Sequence, residues 1–378
     1  MTNALCELLG IEIPLVAFSH ARDVVAAVSQ AGAFGVLGIS SHRPEELEAE
    51  LRWLEERLGD RPYGVDLMLP ERAVGKGEDA SGSALAARIP PEHVAFVRRL
   101  LAERGIPDAD LIPPEAGERA RRLVDERLQQ ELLDVAFAHR VRFVASALGV
   151  PPPFLIERAH RAGVPVGALV GSSRHAVRQV EAGVDILIAE SYEAGGHTGD
   201  IGGMVLVPTV IAATRPIRRV PVLAAGGIVT GRQMLAAMAL GADGVWTGTV
   251  WLLTPESETT PTMREKLIEA SASDTVRSRT RTGKPARQLR TAWHDAWEAP
   301  GSPAPLPMPL QSILTGEAFR RIRDAAARGN PGARELESYF CGQGVELLRQ
   351  VRPARQVVED FVAEFAAAWE ELAAWVDK

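Results

Sequence analysis

Only two cysteines, Cys6 and Cys341, occur in 378 residues. That excludes a disulfide framework and a cysteine-rich metal site. No apolar run approaches membrane-spanning length, and the opening MTNALCELLGIEIP lacks a basic segment followed by an apolar one. The expectation is a soluble, cytoplasmic protein with no membrane partner. An excess of charge of one sign is also lacking. Lys and Arg number 42 against 49 Asp and Glu, interspersed, for a net charge of −7, which leaves no footprint for nucleic acid. No H-E-x-x-H, cysteine pair or carboxylate cluster argues for a metal, and no G-x-S-x-G argues for a serine hydrolase. Gly283-Lys284 lacks the preceding glycine and strand of a P-loop.

What is present is a regular alternation of short apolar runs with amphipathic helical patterns. Strands are expected at 13–18, 34–40, 63–69, 141–148, 164–170, 185–190, 221–225 and 244–252. Helices fall between them. One is expected to be capped by Ser41, with Leu47, Leu51, Leu54 and Leu58 as its stripe; another is capped by Thr230 and closed by Gly241. Eight strand–helix repeats with buried strands predict a (β/α)8 TIM barrel. A doubly wound sheet is the runner-up, but no G-x-G-x-x-G follows the first strand.

Two departures from the repeat set the domain organisation. Roughly seventy residues separate the third and fourth strands, where one βα connection needs about thirty. They predict a helical insert over 71–140 within a barrel of 1–252, with helices at 91–104 and 116–139. Its first part, about 71–83, is Gly-, Ser- and charge-rich and is expected to be held weakly until substrate binds. The insert is weighed evenly as a lid and as decoration. Beyond 253 the alternation stops, and a helical C-terminal extension over 253–378 is expected to pack on the barrel. In its last helix Val357, Val358, Phe361, Val362, Phe365 and Trp369 share one face.

The chemistry concentrates in Ile186–Pro208. A strand-like Ile186-Leu187-Ile188-Ala189 breaks into a loop with Gly195, Gly196, Gly199, Gly202 and Gly203 around His197. Such glycines let backbone approach a flat or phosphorylated ligand. An imidazole at a strand end is placed for proton transfer near neutral pH. Gly226-Gly227 after the seventh strand and Thr247-Gly248-Thr249 in the eighth sit where barrels hold phosphate. His42, His93, His139, His160 and His175 fall on predicted helices and read as solvated, and His294 falls in an irregular tail. His20 follows the first strand at the catalytic face. His20 and Ser146, in the fourth strand, are the candidates for substrate contact.

AxxYEAGGHTG, PVLAAGGIVTG and GADGVWTGT together resemble the nitronate monooxygenase family, FMN-dependent TIM barrels related to flavin-dependent enoyl-acyl-carrier-protein reductases. The early DVVAAVSQAGAFGVLG and the late GKPARQLR and CGQGVELL extend the likeness nearly end to end. The resemblance implies that His197 transfers protons and that Gly226, Gly227, Gly248 and Thr249 bind the FMN phosphate. It implies that Gly195 and Gly196 run along the flavin, with Glu190 where the family commonly has glutamine. The family's Ala-Pro-Met first-strand motif is Ala17-Phe18-Ser19-His20 here, and its third-strand asparagine is Asp66; Ala17, Phe18, Ser19 and Asp66 are taken as cofactor contacts. With three tyrosines, Tyr63, Tyr192 and Tyr339, a tyrosine cage around a nitronate is hard to build.

The function implied is oxidation of a nitronate or similar carbon acid with O2, His197 serving as acid and base. One alternative is a reductase passing hydride from NAD(P)H through the same flavin to an enoyl thioester or quinone. Another is a non-flavin barrel holding a phosphorylated ligand in the same loops. Substrate identity and homo-oligomer formation are left open.

Overall fold

The computed structural model describes residues 3–78 and 81–376. Eight parallel strands form the centre: β1 (Leu15–Ser19), β2 (Phe34–Gly38), β3 (Tyr63–Met68), β4 (Val144–Ala147), β5 (Val166–Val170), β6 (Ile186–Glu190), β8 (Val222–Ala225) and β9 (Gly244–Thr247). They close in chain order, β9 pairing with β1 through Val16↔Trp246. A two-residue β7 (Gly196–His197) lies outside the barrel. The (β/α)8 expectation holds, with the predicted seventh and eighth strands being β8 and β9.

Alternation along the strands explains why nearly every strand residue is apolar. Val16, Phe34, Val36, Phe143, Ile186, Ile188 and Leu223 fill the interior. Leu15, Leu37, Val65, Val144, Val166, Leu187, Val222 and Val245 face the helices. Phe143 fits because its neighbours have no side chain: a Cβ on Gly167 would come within 2.2 Å of the Phe143 ring. Burying such a ring stabilises the fold by about 1.5–3 kcal/mol. A helix the sequence did not suggest, Ala4–Leu9, plugs the lower end with Leu5, Cys6 and Leu9.

The 71–140 segment carries four helices: Gly82–Ala86, Pro91–Ala102, Pro114–Arg122 and Glu126–Ala138. The single helix expected at 116–139 is two, broken at Asp125, whose side chain caps the second. Of the stretch expected to be loosely held, residues 79–80 lie outside the described part. Beside them Val74 N–H donates to the Met308 carbonyl, and Ser81 caps the short helix. Ser41 does not cap Pro44–Leu58. The cap position is Arg43, whose N–H is taken by Glu46 at 2.8 Å. Thr230 caps Gly231–Ala239 as expected.

The extension is helical in large part, with Leu310–Ala327, Pro331–Leu336 and Ala354–Val376, but it also holds two strands the periodicity missed. These are β10 (Thr275–Ser278) and β11 (Ala286–Leu289), which pair antiparallel with each other and with β7. Helices of the insert and the extension share a second apolar cluster, in which Phe96 meets Trp297 edge-on at 4.8 Å. The last helix packs on Gly231–Ala239 so closely that a Cβ on Gly231 would sit 2.0 Å from the Phe361 carbonyl. Its buried face ends early: Phe361 is covered, whereas Trp369, expected on the same face, is 60% exposed.

Candidate functional site

The C-terminal ends of the barrel strands open into a cavity of about 1070 Å³. The inward alternation that fills the barrel below continues here with functional groups. Phe18 on β1, Asp66 on β3, Glu190 on β6 and Trp246 on β9 line its floor. Phe18 and Trp246 stack with ring centres 6.0 Å apart.

The two carboxyl groups have no cation beside them on that floor. Burial raises the Asp66 pKa to about 7. Burial raises Glu190 well above the carboxylate range, and the charge of Asp66 adds to the effect. The shift favours the protonated carboxyl of Glu190, the form that can donate a hydrogen bond as an amide does.

His197 sits on β7, which is held to the extension by Ala286↔His197 and Arg287↔Gly196. Its Nε2 lies 2.9 Å from the Thr282 hydroxyl, and the Phe340 ring centre is 6.4 Å away. Burial, and then the charge of Lys284, lower its pKa to about 4. The imidazole expected to titrate near neutrality is thus a neutral base throughout the physiological range. His20 opens onto the cavity while its ring packs edge-on to Phe18 at 5.2 Å. Desolvation holds its pKa below normal.

Gly226 and Gly227 adopt φ of +103° and +73°. A Cβ on Gly226 would meet the Ser191 hydroxyl at 2.2 Å, whereas one on Gly248 would meet nothing within 4 Å. The two loops thus form a cradle: packed from below at Gly226 and open above Gly248. Thr249 turns its hydroxyl to the Gly342 N–H at 2.8 Å.

The structure gathers Phe18, Ser19, His20, Asp66 and Glu190 around one cavity with Gly195, Gly196 and His197 and with Gly226, Gly227, Gly248 and Thr249. It does not bring in two expected residues. Ala17 faces the helix layer, because its strand turns alternate residues outward. Ser146 is fully buried on β4 between the inward-facing Ala145 and the cavity-lining Ala147, so the same parity takes it away from the cavity. Of the histidines read as solvated, His93 is buried and His139 half-buried. His93 bonds the Ala304 carbonyl, and His139 lies between Glu48 and Glu55. His294, placed in an irregular tail, is fully buried in the helix Ala292–Glu298.

Sequence reasoning missed what the extension contributes: Lys284, Tyr339 and Phe340 line the cavity. Tyr339 is the one tyrosine of three that does so. Arg287 is 2% exposed and anchors the loop from behind. The available signal was glycine. Gly342 and Gly344 thread backbone against backbone, a Cβ on Gly342 falling 2.6 Å from the Glu193 carbonyl and one on Gly344 2.8 Å from that of Gly227.

Barrel and cavity together have the arrangement of the α/β-barrel enzymes, a class that works at the C-terminal ends of its strands. The nitronate monooxygenase family model matches residues 3–364. The chain is 52% identical over 366 residues to putative monooxygenase Rv1533 of Mycobacterium tuberculosis, covering 97% of this chain and 96% of that one. A probable nitronate monooxygenase of Staphylococcus aureus is 27% identical, with 95% and 96% covered. Among solved structures, nitroalkane oxidase from Streptomyces ansochromogenes superposes with a TM-score of 0.76 at 27% identity, covering 98% and 100%. FabK from Thermotoga maritima does so with 0.73 at 27%, covering 99% of each chain. The chain belongs to the nitronate monooxygenase family and is an oxidoreductase of the flavin-dependent kind. Among the described residues no helix is long and apolar enough to cross a membrane.

Proposed function

We propose that this enzyme carries FMN and oxidises a nitronate, or a carbon acid of similar acidity, with O2. The observation that carries the reading is His197, a neutral imidazole on a loop pinned at the cavity wall, with a pKa near 4. A base must be unprotonated to act, and this one is so at every pH in ordinary use.

The residues fit FMN. Gly226, Gly227 and Gly248 line the cavity at the position where barrels hold phosphate, and a Cβ at Gly248 would project into open space there. The Glu190 carboxyl lines the same cavity, and in its protonated form, which burial favours, it can donate to a ring oxygen of a flat ligand. When bound, the flavin supplies the two-electron redox step.

The chain's own part is to orient the substrate, exclude water and move the proton. Thr282 receives the Lys284 N–H and can give its hydroxyl proton to the Lys284 carbonyl at 3.2 Å. In that arrangement His197 Nε2–H donates to Thr282, and Nδ1 keeps a lone pair that can take the α-carbon proton of a neutral carbon acid; a nitronate arrives with that proton already lost and needs no such step. Likeness to a nitroalkane oxidase supports the oxidative reading.

The test is the flavin released from purified protein, identified by chromatography, followed by anaerobic mixing of the holoenzyme with a nitronate, NADH or NADPH. Bleaching by the nitronate alone is expected. Bleaching only by a reduced nicotinamide would transfer the assignment to the reductase reading, and release of FAD would overturn the cofactor.

A further inference from the structure

Beside the main cavity lies a second cleft of about 480 Å³, bounded by the insert helix Pro114–Arg122 and by Pro261–Glu269 and Leu310–Ala327. The two share Arg119, Leu123 and Tyr339 as lining, so they adjoin. Arg281 lines the cleft with its guanidinium among aromatic rings, 4.1 Å from the centre of Phe319, 4.6 Å from Phe340 and 5.6 Å from Tyr339. Nη1 donates to the Ser338 carbonyl at 2.9 Å.

No acid answers that charge. Glu317 is engaged by Arg320 and Arg321, and Glu337 accepts from Thr260. Glu115 and Glu258 stand at the cleft without an ion pair to Arg281 among the described residues. The charged or ionisable side chains that act on it most are the Tyr339 phenol and the like-charged Arg323, and burial pushes its pKa down to about 10. An arginine stacked face-on between rings still presents its edge N–H groups as a fork, the geometry that takes a carboxylate by two parallel bonds. Leu123, Met263 and Ile313 supply apolar wall, and the volume is that of a small-molecule site.

We propose that this cleft is a binding subsite for an apolar monocarboxylate, whose oxygens pair with the edge of Arg281. Its occupant would lie near His197, since the Phe340 ring centre is 4.6 Å from the Arg281 guanidinium and 6.4 Å from the His197 ring centre. The proposal stands independently of the flavin assignment, because nothing in the cleft depends on it.

Benzoate is the probe, titrated into the full-length purified protein with tryptophan emission as readout; Trp293 lies 4.7 Å from the Phe319 ring that Arg281 covers. Saturable binding is expected, with the neutral isostere benzamide at least roughly 10-fold weaker. Arg281→Gln should weaken benzoate roughly 10- to 100-fold, and Arg281→Lys should fall between, since an ammonium gives charge without the fork. Gly316→Leu offers a second route. It lines the cleft, and its added Cβ meets nothing within 4 Å, so the new side chain starts out into open space. That variant should lose benzoate while keeping Arg281 and its circular dichroism. Absence of saturation, equal binding of benzamide, or wild-type affinity in both Arg281→Gln and Gly316→Leu would overturn the site. In turnover assays, benzoate competing with substrate would assign the subsite to the substrate's own tail, and non-competitive inhibition would assign it to a separate ligand.

Discussion

The carbonyl of Tyr192 accepts two bonds from the buried guanidinium of Arg287, at 3.0 Å from Nε and 2.9 Å from Nη2. The same guanidinium lies 4.3 Å from the Tyr192 ring and donates from Nη1 to Thr275 at 3.0 Å. Arg287 also stands opposite Gly196 in the β7–β11 ladder. One residue from the extension thereby fixes both the start and the middle of the loop that carries His197. Removing the fork with Arg287→Met should destabilise the protein by about 1.5–3 kcal/mol, the usual loss for bonds to a charged partner. Turnover number should fall more than KM rises, because the substrate pocket survives while the base is misplaced. Urea unfolding and steady-state kinetics check this; a variant with wild-type turnover would show that the loop holds itself.

For His197 the expectation concerns chemistry alone. His197→Asn should keep the fold and the bound flavin, because the cradle glycines lie on other loops. Turnover should drop roughly 10²–10⁴-fold, the range for losing a positioned general base. In the wild type, the acid limb of the kcat/KM profile should fall near pH 4, far below that of an ordinary imidazole, as the depressed pKa requires. An acid limb near 6.5 would place the imidazole in water.

At Gly248 the prediction separates cofactor from fold. A Cβ there meets no protein atom within 4 Å, although its φ and ψ of −133° and −60° lie outside the main β and α basins. Gly248→Val should therefore still fold in the flavin-free state, losing no more than about 1–3 kcal/mol to local backbone strain, yet bind little FMN. The absorbance ratio of flavin to protein after reconstitution measures this. Full flavin occupancy would sink the phosphate cradle.

Asp66 makes the pH dependence of stability testable. Its carboxyl is raised from an ordinary 3.8 to about 7 by burial. Between those values the folded protein holds a proton the unfolded chain has released, so this group's contribution is intact below about pH 4 and is lost as pH rises through 7. A shift of that size corresponds to an upper limit of about 4 kcal/mol. Asp66→Asn should thus gain stability over the wild type at pH 8 and be near neutral at pH 4. Denaturant titrations at the two pH values decide it, and an identical difference at both would mean that Asp66 is solvated.

The barrel was legible in the sequence because its driving pattern is local. Apolar runs of strand length alternate with helix stripes, and Gly226-Gly227 and Gly248 sit at the strand ends around the cavity. His197 stood out for the same local reason, a lone imidazole in a glycine loop. Ser146 and Ala17 were misjudged because one residue of register turns a side chain from the cavity to the helix layer, and a continuous apolar run does not encode that parity. What only the tertiary structure decided is the back wall of the site. β7 has two residues, too few for any periodicity, and exists because β11 pairs with it. Arg281, Lys284, Arg287, Tyr339 and Phe340 lie between 84 and 143 residues along the chain from His197, brought there by long-range packing that no local pattern records. The pKa values belong to the fold as well. A histidine near 4 and an aspartate near 7 are produced by burial among apolar neighbours, and burial is settled only when the whole chain has closed around the site.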